Sequence, residues 1–320
     1  MSPGSIARVV LPVFIALPLL GQSRDSKPSA TDPSPLKLSG YLQAREVYRR
    51  DIGLTGSINR ARLAASGTLV EVVTWRLQAE FRTGSVGTGR ASVSLQDAYV
   101  RYNPGKWSVQ AGQFKTPFSR EFVTSLADLE TADRSAAVDS LAPKRDIGVM
   151  GEYSAAWVGV FGGVFNGEGQ NVNANVDSAL FGVARLVVRP MAELSLGISA
   201  ARYFGDSTRY GVDVAFEPGW GTFKGEYLGQ HRDATGGRND RGWYGLGAFP
   251  MFRGVQLVGK YEEFDRPAIS SAAKIRTWTG GFNIFPGTRN LRLTFDYASN
   301  AIGGPGIRKA RLLAQVQAKF

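Results

Sequence analysis

The chain has 320 residues, 43% apolar and 20% charged, with 39 glycines and no cysteine, so a large folded body is possible but disulfide scaffolding, thiol catalysis and Cys-ligated metal are excluded. A formal net charge of +11 favours an acidic partner. Mean hydropathy is −0.14, and beyond the N-terminus no apolar run reaches the roughly 18 residues of a spanning helix; a helical membrane protein is excluded and a membrane β-barrel is not.

Residues 1–23 read as a secretory signal: Arg8 precedes the apolar run Val9 to Leu20, and Gly21-Gln22-Ser23 supplies small residues for cleavage after Ser23. Pro12 and Pro18 would interrupt a buried helix here. The Pro/Ser-rich stretch 24–35 is a flexible lead-in. From Leu36 onward apolar residues recur at every second position in stretches of about nine to twelve, the length of a tilted membrane strand. The pattern predicts an all-β fold over 36–320, a 16-stranded antiparallel transmembrane β-barrel with strands near 36–48, 57–69, 73–83, 93–102, 106–114, 146–154, 157–166, 179–189, 194–204, 208–217, 220–230, 241–249, 254–264, 274–285, 290–298 and 308–320. In the last strand Ala310, Leu312, Ala314, Val316 and Ala318 share a lipid face, while Lys309, Arg311, Gln315, Gln317 and Lys319 share a water face.

Every second connector is tight, as at Asn103-Pro104-Gly105, Pro218-Gly219, Pro250-Met251 and Pro286-Gly287. The alternate connectors are longer, as outer loops are in outer-membrane barrels, except for the short Gly205-Asp206-Ser207. Trp75, Trp107, Trp157 and Trp220 open strands at one predicted end, where an aromatic girdle belongs.

Sixteen strands enclose more space than side chains fill, so a water-filled channel is expected. Closure sets the last strand beside the first. The water-facing sides of strands 16, 1, 2 and 3 then form one wall, with Lys37, Arg45, Arg60, Arg62, Arg76, Arg82, Arg311 and others against the single carboxylate Glu80. Arg60, Arg62, Arg76, Arg311, Lys37 and Arg45 are the expected anion pathway, unpaired charges that give the lumen a positive potential. The other reading of these residues is strand-end charges reaching for the interfaces.

Residues 115–145, the third outer loop and the longest connector, are expected to fold inward as a constriction. Ser119 could cap a short helix whose stripe of Phe122, Leu126 and Leu129 needs burial against the wall. Its cations Lys115, Arg120, Arg134, Lys144 and Arg145 are balanced by Glu121, Asp128, Glu130, Asp133 and Asp139, so the loop is expected to narrow the channel without setting its selectivity.

Two segments resemble a known family, the phosphate-selective porins O and P of Gram-negative bacteria: Gly112-Gln113-Phe114-Lys115-Thr116-Pro117-Phe118-Ser119 and Ala142-Pro143-Lys144-Arg145-Asp146-Ile147-Gly148-Val149. The resemblance implies an outer-membrane homotrimer, each subunit an anion channel narrowed by an inward loop and lined by Arg and Lys. It also implies adjacent arginines near the constriction. Arg60 takes the second of those positions and Asn59 the first, which implies weak block by phosphate.

Other chemistry is sparse, and neither an enzyme nor a cofactor is expected. His231, the only histidine, has no nucleophile context, and the neighbours Glu262 and Glu263 point to opposite faces of a strand. Glu168, Asn171, Asn173, Asn175 and Asp177 could offer oxygens to calcium, as polar loops also do without metal, and no metal site is assigned. Basic residues that alternate along strands do not form a nucleic-acid surface. Three readings follow: an outer-membrane porin in contact with lipid that passes small anions such as phosphate, a non-conducting structural or assembly barrel, and a secreted β-sandwich that binds carbohydrate.

Overall fold

The computed structural model describes residues 36–83, 89, 91–175, 179–233, 238–266, 274–302 and 307–320; the signal at 1–23 and the lead-in at 24–35 lie outside the described residues. Among the described residues sixteen strands form: β1 (Lys37–Arg49), β2 (Gly53–Val70), β3 (Val73–Arg82), β4 (Ser92–Tyr102), β5 (Trp107–Lys115), β6 (Arg145–Ser154), β7 (Val158–Phe165), β8 (Phe181–Met191), β9 (Leu194–Tyr203), β10 (Ser207–Phe216), β11 (Thr222–Arg232), β12 (Arg238–Phe252), β13 (Val255–Asp265), β14 (Lys274–Ile284), β15 (Leu291–Ile302) and β16 (Ile307–Lys319). Each pairs antiparallel with its neighbours in the chain, and β16 returns to β1, closing the barrel. The last residue completes the seam: Gly40 N donates to Phe320 O at 2.9 Å and Phe320 N to Gly40 O at 3.1 Å.

Period two makes the two faces of this wall opposites, and they are inverted relative to a soluble domain. Leu312 and Val316 are 53% and 48% exposed on the outside, while Gln315 and Gln317, which flank Val316, are buried at 2% and 1%. The outward set of β16 is the one expected from sequence. Trp107, Trp157 and Trp220 stand exposed at the start of odd-numbered strands or just before them, hence at one end of the barrel, and Tyr102 packs edge-on to Trp107 at 5.4 Å.

Bulges adjust the inner face. Asn59 is an extra residue of β2 opposite the Gln43/Ala44 step, and Gln96 an extra residue of β4 opposite Gln78/Ala79. Each lets two consecutive side chains turn to the polar side: Asn59 Nδ2 donates to Gln43 Oε1 at 3.1 Å beside the inward Arg60, and Gln96 and Asp97 are both buried. One expected turn is misplaced. Pro250-Met251 lies inside β12, where a bulge between Pro250 and Phe252 accommodates a proline in a strand, and the chain reverses at Arg253-Gly254 instead, with Gly254 at φ +79°.

Candidate functional site

The segment leading out of β5 has a separate task for nearly every residue. Gly112, at φ +126°, carries the chain so close to β4 that an added Cβ would sit 2.2 Å from Ala98 O. Pairing of β4 with β5 stops at Ala98↔Gln113. The carbonyls left over are taken by Gln113, whose Nε2 donates to Leu95 O at 2.9 Å and Gln96 O at 3.1 Å. Asn171 N, at φ +66°, donates to Gln113 Oε1 at 2.7 Å, so one residue of the suspected calcium set is engaged here, while Asp177 lies outside the described residues.

Ser119 caps the helix α1 (Arg120–Val123) as expected, its Oγ accepting from Phe122 N at 3.1 Å. The helix is a single turn, so Leu126 and Leu129 lie beyond it instead of on a common helical stripe, yet all three apolar residues are buried. A second short helix, α2 (Ala136–Leu141), precedes β6. At the far end of α1 the Lys115 ammonium donates to Phe122 O, Val123 O and Thr124 O at 2.9, 3.1 and 2.9 Å. Those three bonds use every donor an ammonium has, so Lys115 acts as a clamp for the carbonyl end of the helix. Thr116 Oγ1 donates to Pro143 O at 2.9 Å and ties the two ends of the segment together.

Residues 116–144 are bonded across the polar face of the wall. Phe118, Phe122, Val138 and Leu141 share one apolar cluster with Phe114, Phe165, Phe181, Leu228, Tyr244 and Phe264, which come from β5, β7, β8, β11, β12 and β13. Ion pairs add further ties between segment and wall: Arg45–Asp133 at 2.8 Å, Arg311–Asp133 at 3.1 Å, Lys224–Glu130 at 2.6 Å, Lys319–Asp128 at 2.6 Å and Arg120–Asp213 at 2.7 Å. Wall side chains also cap the segment's carbonyls, Arg292 Nη1 at 2.6 Å from Leu129 O and Gln317 Nε2 at 2.9 Å from Ala127 O.

The surroundings set the ionisation of these groups. Burial lifts the Glu121 carboxyl above its ordinary value, and Lys260 at 3.9 Å offsets this only in part. Burial pushes Asp133 the same way but is outweighed by Arg45 and Arg311, which hold it below the ordinary value. Burial lowers Arg134 to about 10; its guanidinium donates to Glu121 O, Phe122 O and Thr124 O.

The arginines expected to stand unpaired on the wall are ion-paired. Arg60, Arg62 and Arg82 converge on Glu80, Arg76 and Arg145 share Asp97, and Arg45 and Arg311 share Asp133. The pairing has two physical causes. Register sets Arg62 directly opposite Glu80, and the loop carboxylates reach the wall, so the loop changes the wall's charge and is not neutral toward it. Lys37 is exposed at the start of β1 with no ion pair among the described residues, and Lys144 meets Asp139 at 3.2 Å near the surface. Sequence reading noticed Glu80 but not its central position, and missed Asp97 and Asp133 as partners; the strand register carries the first two, and nothing local carries the third. His231 is exposed, with Nδ1 at 2.8 Å from Asn239 Oδ1.

A family model described as phosphate-selective porin O and P matches residues 41–245. No curated protein sequence matches the chain. Solved structures with the same fold include an anion-selective porin from Comamonas acidovorans, at TM-score 0.66 and 13% identity over 90% of this chain and 100% of that one. The trimer form of OmpT, an outer membrane protein of Vibrio cholerae, aligns at TM-score 0.65 and 10% identity over 90% and 100% of the two chains. OmpF of Salmonella typhi in complex with daunomycin aligns at TM-score 0.67 and 11% identity over 90% and 98%.

Proposed function

Because this chain belongs to the phosphate-selective porin O and P family, barrels of the Gram-negative outer membrane, we propose that it is a water-filled diffusion channel through which small anions, phosphate among them, pass in preference to cations. The segment 116–144 is its constriction, folded into the lumen and held there by the apolar cluster and the ion pairs to the wall. The observation that carries the reading is the arc of β1 to β3. Three guanidiniums there face one carboxylate, and the segment 116–144 adds the guanidinium of Arg134. Basic groups around a narrow, partly dehydrated passage favour anions. Asn59, in the position of the first family arginine, is bonded to Gln43, which supports a weak hold on phosphate.

Residues 1–23 serve in this reading as the export signal. The functional unit is a homotrimer, as the trimeric form of the Vibrio cholerae protein suggests for this fold. Family and fold point to a channel and away from an enzyme. A planar-bilayer recording of the detergent-extracted barrel in a KCl gradient tests the proposal. The zero-current potential should lie on the chloride side; a potential on the potassium side, or no conductance from a heat-modifiable barrel, overturns it.

A further inference from the structure

The arc of β1 to β3 contains a group that an anion pathway does not by itself require. Glu80 has no exposed side-chain surface and sits at the focus of three guanidiniums. Arg60 Nη1 lies 3.2 and 3.3 Å from its two oxygens, Arg62 Nε donates to Oε2 at 2.5 Å and Arg82 Nε to Oε1 at 2.6 Å. Each guanidinium has about five N–H donors, so the carboxylate engages only a fraction of those present. Next to Arg62 across the sheet stands Tyr41, 7% exposed, whose buried hydroxyl has no hydrogen-bond partner among the described residues. Row by row, Tyr41, Arg62 and Glu80 are direct cross-strand neighbours on β1, β2 and β3.

A carboxylate held by several guanidiniums is the arrangement in which a free carboxylate, phosphate or sulfate would be bound. Resting on the anion-channel reading above, we propose that Glu80 is a tethered occupant of an oxyanion site: its side chain fills the pocket of Arg60, Arg62 and Arg82 and sets how weakly the channel holds the oxyanions it passes. A ligand attached to its own site competes at an effective concentration of about millimolar or more, so a free anion gains the pocket only when it outcompetes that. Transit requires this weakness, since a site that binds tightly stops releasing. Glu80 is in these terms a specificity-determining residue, and the orphaned Tyr41 hydroxyl is a spare donor for the anion that displaces it.

The test uses the full chain in planar bilayers, with inorganic phosphate titrated against the KCl conductance of the wild type, Glu80→Ala and Glu80→Gln. Removing the carboxylate in Glu80→Ala should lower the half-blocking phosphate concentration at least ten-fold. Acetate, which replaces the missing group, should relieve that block in the variant and leave the wild type unchanged. Glu80→Gln keeps the volume and cancels the charge, so it should also lower the half-blocking concentration and stands in if the alanine variant does not assemble. A heat-modifiable, conducting variant with the wild-type phosphate response overturns the proposal. The wild-type zero-current potential in the same membranes separates the two failures: cation preference sinks the channel reading, whereas anion preference with unresponsive variants sinks only the role of Glu80.

Discussion

Asp133→Asn should make the channel more anion-preferring, because Asp133 neutralises two lumenal arginines at once, Arg45 at 2.8 Å and Arg311 at 3.1 Å. Asparagine preserves the shape and leaves Asp133 O free to accept from Thr131 Oγ1 at 2.8 Å and Lys260 Nζ at 3.1 Å, so the loop keeps its backbone ties. The lumen gains one unit of positive charge. An anion passing about 5 Å away is favoured by about 0.8 kcal/mol in bulk water, and screening over a Debye length of about 8 Å leaves about 0.4 kcal/mol. A cation is disfavoured by the same amount, so the anion-to-cation permeability ratio should rise about four-fold at physiological salt. The zero-current potential in a KCl gradient measures it. Acidification supplies an internal control. Arg45 and Arg311 hold Asp133 below its ordinary value, so the wild type should show the same rise only when pH falls through that lowered range, and the asparagine variant should not. An unchanged potential in a conducting Asp133→Asn barrel would mean that this triad lies outside the ion path.

Three further outcomes follow from the packing and the backbone. Phe118, fully buried in the cluster between loop and wall, should cost about 3–5 kcal/mol of unfolding free energy when replaced by alanine; a loss under about 1 kcal/mol in urea titration would show that the cluster is not a core. Burial raises the Glu121 carboxyl, so the folded state binds its proton more readily than the unfolded chain does, and stability falls as pH rises from about 4.5 through the raised value. In Glu121→Gln that decline in the heat-modification midpoint should be smaller, and an identical pH profile refutes the assignment. Gly112→Ala should block assembly, because its Cβ would sit 2.2 Å from Ala98 O at φ +126°, whereas Gly162→Ala, with open space around it, should yield a heat-modifiable barrel; equal yields would contradict the geometry at Gly112.

The strands were legible because lipid and water impose opposite demands on alternate residues, and a one-residue slip would exchange them. Leu312 and Gln315 could be assigned to faces from the pattern of 308–320 alone. Bulges were not legible: nothing local marks Asn59 or Gln96 as an extra residue, and Pro250-Met251 looks like a turn unless the bulge that admits it is seen. The buried stripe at Phe122, Leu126 and Leu129 was readable as a need for burial, but its helical form was not, since Lys115 and Arg134 cap the carbonyls after one turn. Ion pairing was the least readable. Whether the Arg45 guanidinium is free depends on Asp133 arriving from a segment 88 residues away.

The bonds from β16 to residues 127 and 128 span 190 residues for Gln317 to Ala127 and 191 for Lys319 to Asp128. A chain emerging in order has made the whole segment 116–144 long before either anchor exists, and contacts of such separation form late because closing the intervening chain is slow. Phe118, Phe122 and Leu141 gain their shelter earlier, from β5 to β13, so a nascent or stalled barrel already holds the segment by its apolar cluster while the 127–128 stretch waits for the final strand. Loss of the last few residues would thus do more than open a seam: it would also release two of the ties on a segment synthesised in the first half of the chain.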